Sequence, residues 1–144
     1  MPKRIAKHSG KILIVLAMIG IIIASYLLYV ELNAAAGACG KGCTAVNTSK
    51  YAKIYGVPIA LIGVIGYSIV FVTVILKVTL LKKHKLQIRK FLWTIIFLAF
   101  LFSSYLTYLE VFIIQAICPY CIASAIVVLL MLVAISITLK YGKL

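Results

Sequence analysis

Negative charge is nearly absent from this chain. Of 144 residues only Glu31 and Glu110 are acidic, against 15 lysines and arginines, for a net charge of +13. Histidine is almost as scarce: His8 and His84 both lie in basic flanks and have no catalytic role in this reading. No polar stretch is long enough for a soluble domain, and the alternating pattern of a membrane β-barrel is missing. A basic chain can mean a nucleic-acid partner. Here the charges fall between apolar runs, which argues against that class and for contact with a membrane surface.

What is present is apolar. Hydrophobic residues make up 65% of the chain, with a mean hydropathy of +1.21, far above the roughly half-apolar composition of a soluble domain. A helix crosses the hydrocarbon core in about 20 residues. Four runs reach that length: Ile12 to Leu32, Pro58 to Leu81, Phe91 to Ile117, and Pro119 to Leu139. The runs are continuous, so helix is the spanning form. The fold class predicted is an all-α membrane protein, a single integral domain over 1–144. Four transmembrane helices form a bundle, with an outer loop between the first and second. The basic start resembles a secretory signal, yet the first apolar run exceeds the roughly 7–15 residues of a signal core and is read as a retained span.

Charge asymmetry predicts orientation. With the N-terminus inside, twelve basic residues lie on the inner side, among them the cluster Lys82 to Lys90. Only Lys41, Lys50 and Lys53 lie outside. The positive-inside rule then places both termini in the cytoplasm and all four cysteines on the outer face of the cell membrane, where disulfides persist. Trp93 marks the inner interface, while Tyr26, Tyr29, Tyr105 and Tyr108 read as outer aromatic anchors.

The two glutamates close the same short string. Ser25-Tyr26-Leu27-Leu28-Tyr29-Val30-Glu31 returns as Ser104-Tyr105-Leu106-Thr107-Tyr108-Leu109-Glu110. Eight residues after each Glu comes a cysteine, Cys39 and Cys118, followed by Cys43 and Cys121. Such a repeat of a two-helix unit predicts both pairs at one level of the fold.

Cys118-Pro119-Tyr120-Cys121 opens the last helix. Proline suits the first helical position, which makes Cys118 the cap and puts Cys121 in the first turn. Free N–H groups and the positive helix end stabilise a thiolate there. Cys39-Gly40-Lys41-Gly42-Cys43 is a C-x₃-C pair in a loop whose glycines, with Gly37, predict backbone freedom. From Cys43 to Tyr55 a short surface helix is predicted, and Gly56-Val57-Pro58 ends the loop, with Pro58 in the first turn of the next span. Gly63 and Gly66 predict close helix packing. Redox exchange through mixed disulfides is the leading reading of the two pairs. Structural disulfides, a four-thiolate zinc site and inert buried thiols are the alternatives.

Taken together, these residues resemble the vitamin K epoxide reductase family, especially its bacterial and archaeal members. The resemblance rests on the outer-loop pair, Ser49 six residues after Cys43, Gly56-Val57-Pro58, Gly63, Tyr67 and the final C-x-x-C. It implies a four-helix bundle around a quinone of the ubiquinone or menaquinone type. In that scheme Cys39 exchanges with a separate thioredoxin-like dithiol protein, Cys43 relays to Cys118, and Cys121 faces the quinone. Ser49, Tyr67, Tyr120 and Glu110 are the cofactor-binding candidates; no metal is implied. Two positions depart from the animal enzymes. Ile59 and Ala125 stand where an Asn and a Tyr hold the naphthoquinone, and neither can donate such a bond. Plain quinone reduction rather than epoxide reduction follows. The C-x₃-C spacing is also shorter than is usual in the family.

Glu110 is an acid inside an apolar span and is a functional candidate on that ground. A straight helix puts it about 12 Å from Cys118, at 1.5 Å per residue. It reads as a proton shuttle, a partner of Lys50 or Lys53, or a hydrogen-bonded structural group. Glu31 reads as an interfacial or loop-fixing group. Ser49 either orients a quinone oxygen or caps a loop helix. The rival function is a small four-span transporter with Glu110 as its coupling acid and the cysteines as staples.

Overall fold

Four helices long and apolar enough to cross a membrane dominate the computed structural model, which describes residues 2–33, 40–80 and 83–141. The protein is a multi-pass, all-α membrane bundle. Helix α1 runs Pro2–Asn33, α2 Gly40–Thr48, α3 Ile59–Thr79, α4 Lys85–Tyr108 and α5 Pro119–Tyr141. In lipid each helix satisfies its own backbone, so the apolar runs read in the sequence become these rods directly.

Helix α1 packs along both α3 and α5, and α5 packs along α4. The core between them is built from Leu13, Ala17, Tyr67, Val74, Leu92, Ile96, Met131 and Ile135, all buried. Helices α3 and α4 meet over far less of their length, and this leaves a gap that matters for the site. Without a hydrophobic effect between helices in lipid, close packing holds such a bundle. Gly20 supplies one tight contact, because a β-carbon there would collide with the Tyr67 ring. Gly63 packs against Ala24 as predicted, whereas Gly66 meets nothing within 4 Å and opens onto a cavity instead.

At the basic end the cluster expected to separate two spans is partly helical, since α4 begins at Lys85. Arg89 Nη1 donates to the Thr138 carbonyl at 3.4 Å, and Trp93 Nε1 donates to Ser136 Oγ at 3.1 Å. At the cysteine end, a hairpin of β1 (Lys53–Ile54) and β2 (Val57–Pro58) leads into α3. Its two-residue turn has φ of 51° at Tyr55 and 81° at Gly56, the left-handed pair that a tight hairpin needs and that glycine supplies at little cost. Pro58 therefore precedes the helix as its cap residue rather than lying in the first turn.

The third span does not continue as α-helix to Ile117. After Tyr108 it widens into a π-helical segment, Leu109–Ile114, that ends at Gln115 with φ of 55°. The Ala116 N–H then bonds back to the Glu110 carbonyl at 3.1 Å. Such segments frequently mark functional positions.

Candidate active site

Cys118 caps α5, as the C-x-x-C spacing predicts: its carbonyl accepts the Ile122 N–H at 3.1 Å. It is fully buried, in a cluster with Leu27 and Val30 onto which Val46 and Ala60 pack. Both Cys118 and Cys121 are free thiols. The Cys121 thiol hydrogen-bonds the Cys118 sulfur, and the backbone N–H groups of Cys121 and Tyr120 aim at it as well. Burial and the Glu110 carboxylate oppose them, and the Cys118 thiol is held down at about 7. A helix N-terminus favours the thiolate in this way.

Of the other pair, Cys39 lies outside the described residues. Cys43 is placed by its backbone in the first turn of α2, so it belongs to a helix and not to a free glycine loop. That helix lies across the end of the bundle, touching α1, α5 and the π segment. Gly42 makes the close approach: a β-carbon there would overlap the Ile117 carbonyl. Its role is therefore contact with the residue before Cys118, and not the chain freedom predicted for it.

Glu110 is 4% exposed. Its carboxyl faces the cysteine centre and interacts with the Cys121 thiol and the Cys118 backbone N–H. The separation of about 12 Å expected for a straight α-helix is thus overturned. The π segment and the left-handed Gln115 fold the chain back over the acid. Lys53 stands near Glu31. Glu31 is half-buried, and its Oε1 is buried without a hydrogen-bond partner among the described residues.

Both glutamates line one cavity of about 110 Å³, together with Ser49, Ser103, Thr107, Cys121 and Ser124. A second, more apolar cavity of about 320 Å³ occupies the gap between α3 and α4, lined by Tyr67, Ile95, Phe102, Val128 and Met131. Ile59, Gly63, Ser103, Leu106 and Ser124 belong to both. The larger volume is within the range of small-molecule sites, and mostly apolar walls with a few polar groups are their usual character.

The remaining candidates divide. Tyr67 reaches the site: its hydroxyl meets Ser124 Oγ at 2.7 Å and the Ser124 carbonyl at 3.1 Å. Ser49 lines the smaller cavity, but its hydroxyl donates to the Val46 carbonyl at 2.8 Å. It closes the end of α2 and makes no side-chain cap of the following turn, Lys50–Ala52. Tyr120 lines neither cavity and packs on Tyr26, with ring centroids 4.9 Å apart. Ile59 does line both cavities; Ala125 lines neither. Ser124, Ser103 and Thr107 are polar lining residues that the sequence reading missed. Ser124 had a legible signal, since it follows Cys121 by three residues and so shares its helix face.

A buried, activated C-x-x-C at a helix start, beside an acid and an apolar cavity in a four-helix membrane bundle, defines a membrane thiol oxidoreductase site. The chain belongs to the Vitamin K epoxide reductase family, whose sequence profile matches residues 11–136. Its general class is accordingly the quinone-linked thiol oxidoreductases.

Proposed function

We propose that this protein reoxidises a separate thioredoxin-like dithiol protein outside the cytoplasm and delivers the electrons to a membrane quinone of the ubiquinone or menaquinone type. The observation that carries this reading is the stacking of elements at the cysteine end. Helix α2, which bears Cys43, rests through Gly42 on Ile117, directly before the buried Cys118, while Cys121 borders a cavity. The twelve-to-three distribution of basic residues supports an outward-facing cysteine end.

The chemistry is a relay of thiol–disulfide exchanges. The partner's dithiol reduces Cys39–Cys43 and leaves as a disulfide. Cys43 then attacks the Cys118–Cys121 disulfide at Cys118, releasing Cys121, and Cys39 resolves the mixed disulfide at Cys43. Cys118 and Cys121 are now a dithiol. Two electrons and two protons leave it when the pair closes again, and a quinone accepts that number of each. The acceptor's ring belongs where the two cavities join, near Ser103 and Ser124, with its tail in the apolar gap between α3 and α4. The Cys118 thiolate, present at neutral pH, bonds to the Cys121 sulfur as the quinone takes the two electrons released.

Glu110 as the coupling acid of a transporter fits less well, because its hydrogen bonds go to the cysteine centre itself.

Anaerobic mixing of the fully reduced protein with short-chain benzo- and naphthoquinones tests the reading. Quinol appears with loss of two thiols per turnover, and Cys121→Ser abolishes it. With four free thiols confirmed beforehand, no quinol from the wild type overturns the proposal. Replacing Cys39 and Cys121 together leaves Cys43 and Cys118 without resolving partners, so a mild added thiol oxidant traps a Cys43–Cys118 disulfide, which is mapped by peptide analysis.

A further inference from the structure

The only two acids of the chain end the two copies of one repeated string, and the fold brings both to the same small cavity beside Cys121. We infer that Glu110 is the acid–base residue of the Cys118–Cys121 centre and that Glu31, its counterpart in the repeat, passes protons to it from the cysteine-bearing surface. This rests on the quinone-reducing function proposed above and names the groups that would carry its protons.

Three observations support the assignment. Glu110 is buried in an apolar span, where an ionisable residue is costly and is retained for function, and it lines the same small cavity as Cys121, whose sulfur is a reacting atom. Glu31 has an oxygen buried with no hydrogen-bond partner among the described residues, which is itself unfavourable in a settled structural role. The cavity lined by the two acids also carries Ser49, Ser103 and Thr107 hydroxyls. It is roomy enough for several water molecules and carries hydroxyls to hold them, but too small for a whole quinone, since small-molecule sites start at about 300 Å³.

The steps balance as follows. The Cys118 proton has already left toward the surface. Glu110 takes the Cys121 proton, so that both sulfurs are thiolates. The two thiolates join in an S–S bond, and the two electrons they release pass to the quinone. One quinone oxygen takes the proton from Glu110, and the other takes a proton entering by Glu31, which replaces the one lost from Cys118. Dithiol and quinone become disulfide and quinol, with no further reductant or oxidant.

The test uses the purified full-length protein, reduced and mixed with a short-chain quinone under anaerobic conditions. Glu110→Gln lowers the maximal rate of quinol formation by about 100-fold, the low end of general acid–base contributions, at unchanged quinone KM. Exchange of Cys39–Cys43 with a small dithiol continues at the wild-type rate. Glu110→Asp regains about tenfold of the loss, and formate accelerates Glu110→Gln, which a merely structural role would not allow. Glu31→Gln falls by about tenfold and is also rescued by formate; its unpartnered oxygen makes it the safer variant should Glu110→Gln fail to fold. Wild-type rates in both glutamine variants, or losses that neither Asp nor formate recovers, overturn the inference while the function stands. A wild type that reduces no quinone overturns the function on which it rests.

Discussion

Gly42 lies so close to the Ile117 carbonyl that any side chain at position 42 would overlap it. The contact is between backbones, one in the helix that carries Cys43 and the other just before Cys118. It sets how near the two cysteine pairs can come.

Substituting that glycine tests the contact. Gly42→Ala must lift α2 or shift the 115–118 link. The expected result is at least a tenfold lower yield of the Cys43–Cys118 disulfide in the trapping variant. Alkylation of Cys118 speeds up as Val46 and its neighbours draw away from it. Quantified cysteine labelling checks both. An unchanged crosslink with unchanged labelling would show that α2 does not register the pairs.

Cys118 should titrate early. An ordinary thiol becomes half ionised near pH 8.5, whereas Cys118 is held at about 7. A depressed value means the thiolate is already present on the alkaline side of 7 and is lost as pH falls through it. In a variant lacking Cys39 and Cys43, the alkylation rate of reduced Cys118 therefore rises through pH 7 and levels off by about pH 8. Cys121→Ala removes the thiol that hydrogen-bonds the sulfur, and the midpoint moves up toward the ordinary range.

The Gly20 contact with Tyr67 gives a packing prediction. Gly20→Ala forces the Tyr67 ring aside, at a cost of about 1–3 kcal/mol for an overpacked core. It also disturbs the Tyr67–Ser124 hydrogen bonds at the mouth of the larger cavity. Both the melting temperature in detergent and the affinity for quinone fall. Tyr67→Phe keeps the packing and should lose about 1 kcal/mol or less.

Lys77 is a contrasting case. It is 4% exposed, and its Nζ has no hydrogen-bond partner among the described residues. A buried, unpaired ammonium is unfavourable. Lys77→Met keeps the volume and removes the charge, so the melting temperature should rise by roughly 3 °C for about 1 kcal/mol gained. Electron transfer between the cysteine pairs, at the other end of the bundle, is unaffected.

Much of the site was readable along the chain. The cap at Cys118 followed from Pro119, because a proline that cannot donate is suited to a first helical turn. Tyr120 lines neither described cavity and packs on Tyr26, since adjacent residues on a helix point about 100° apart and it does not share the face of Cys121. Glu110 was placed too far from the sulfurs, because a uniform α-helical rise was assumed through a segment that widens and then reverses at Gln115.

Composition and spacing were enough to specify helices, their number and the activated pair, since lipid offers backbone groups no partners but their own and a helix start polarises whatever thiol caps it. The meeting of Glu31, Glu110 and Cys121 around one cavity was decided in three dimensions. It depends on the backbone angles of a few residues at a helix end and on how closely α3 and α4 approach, and neither quantity is carried by a local run of side chains.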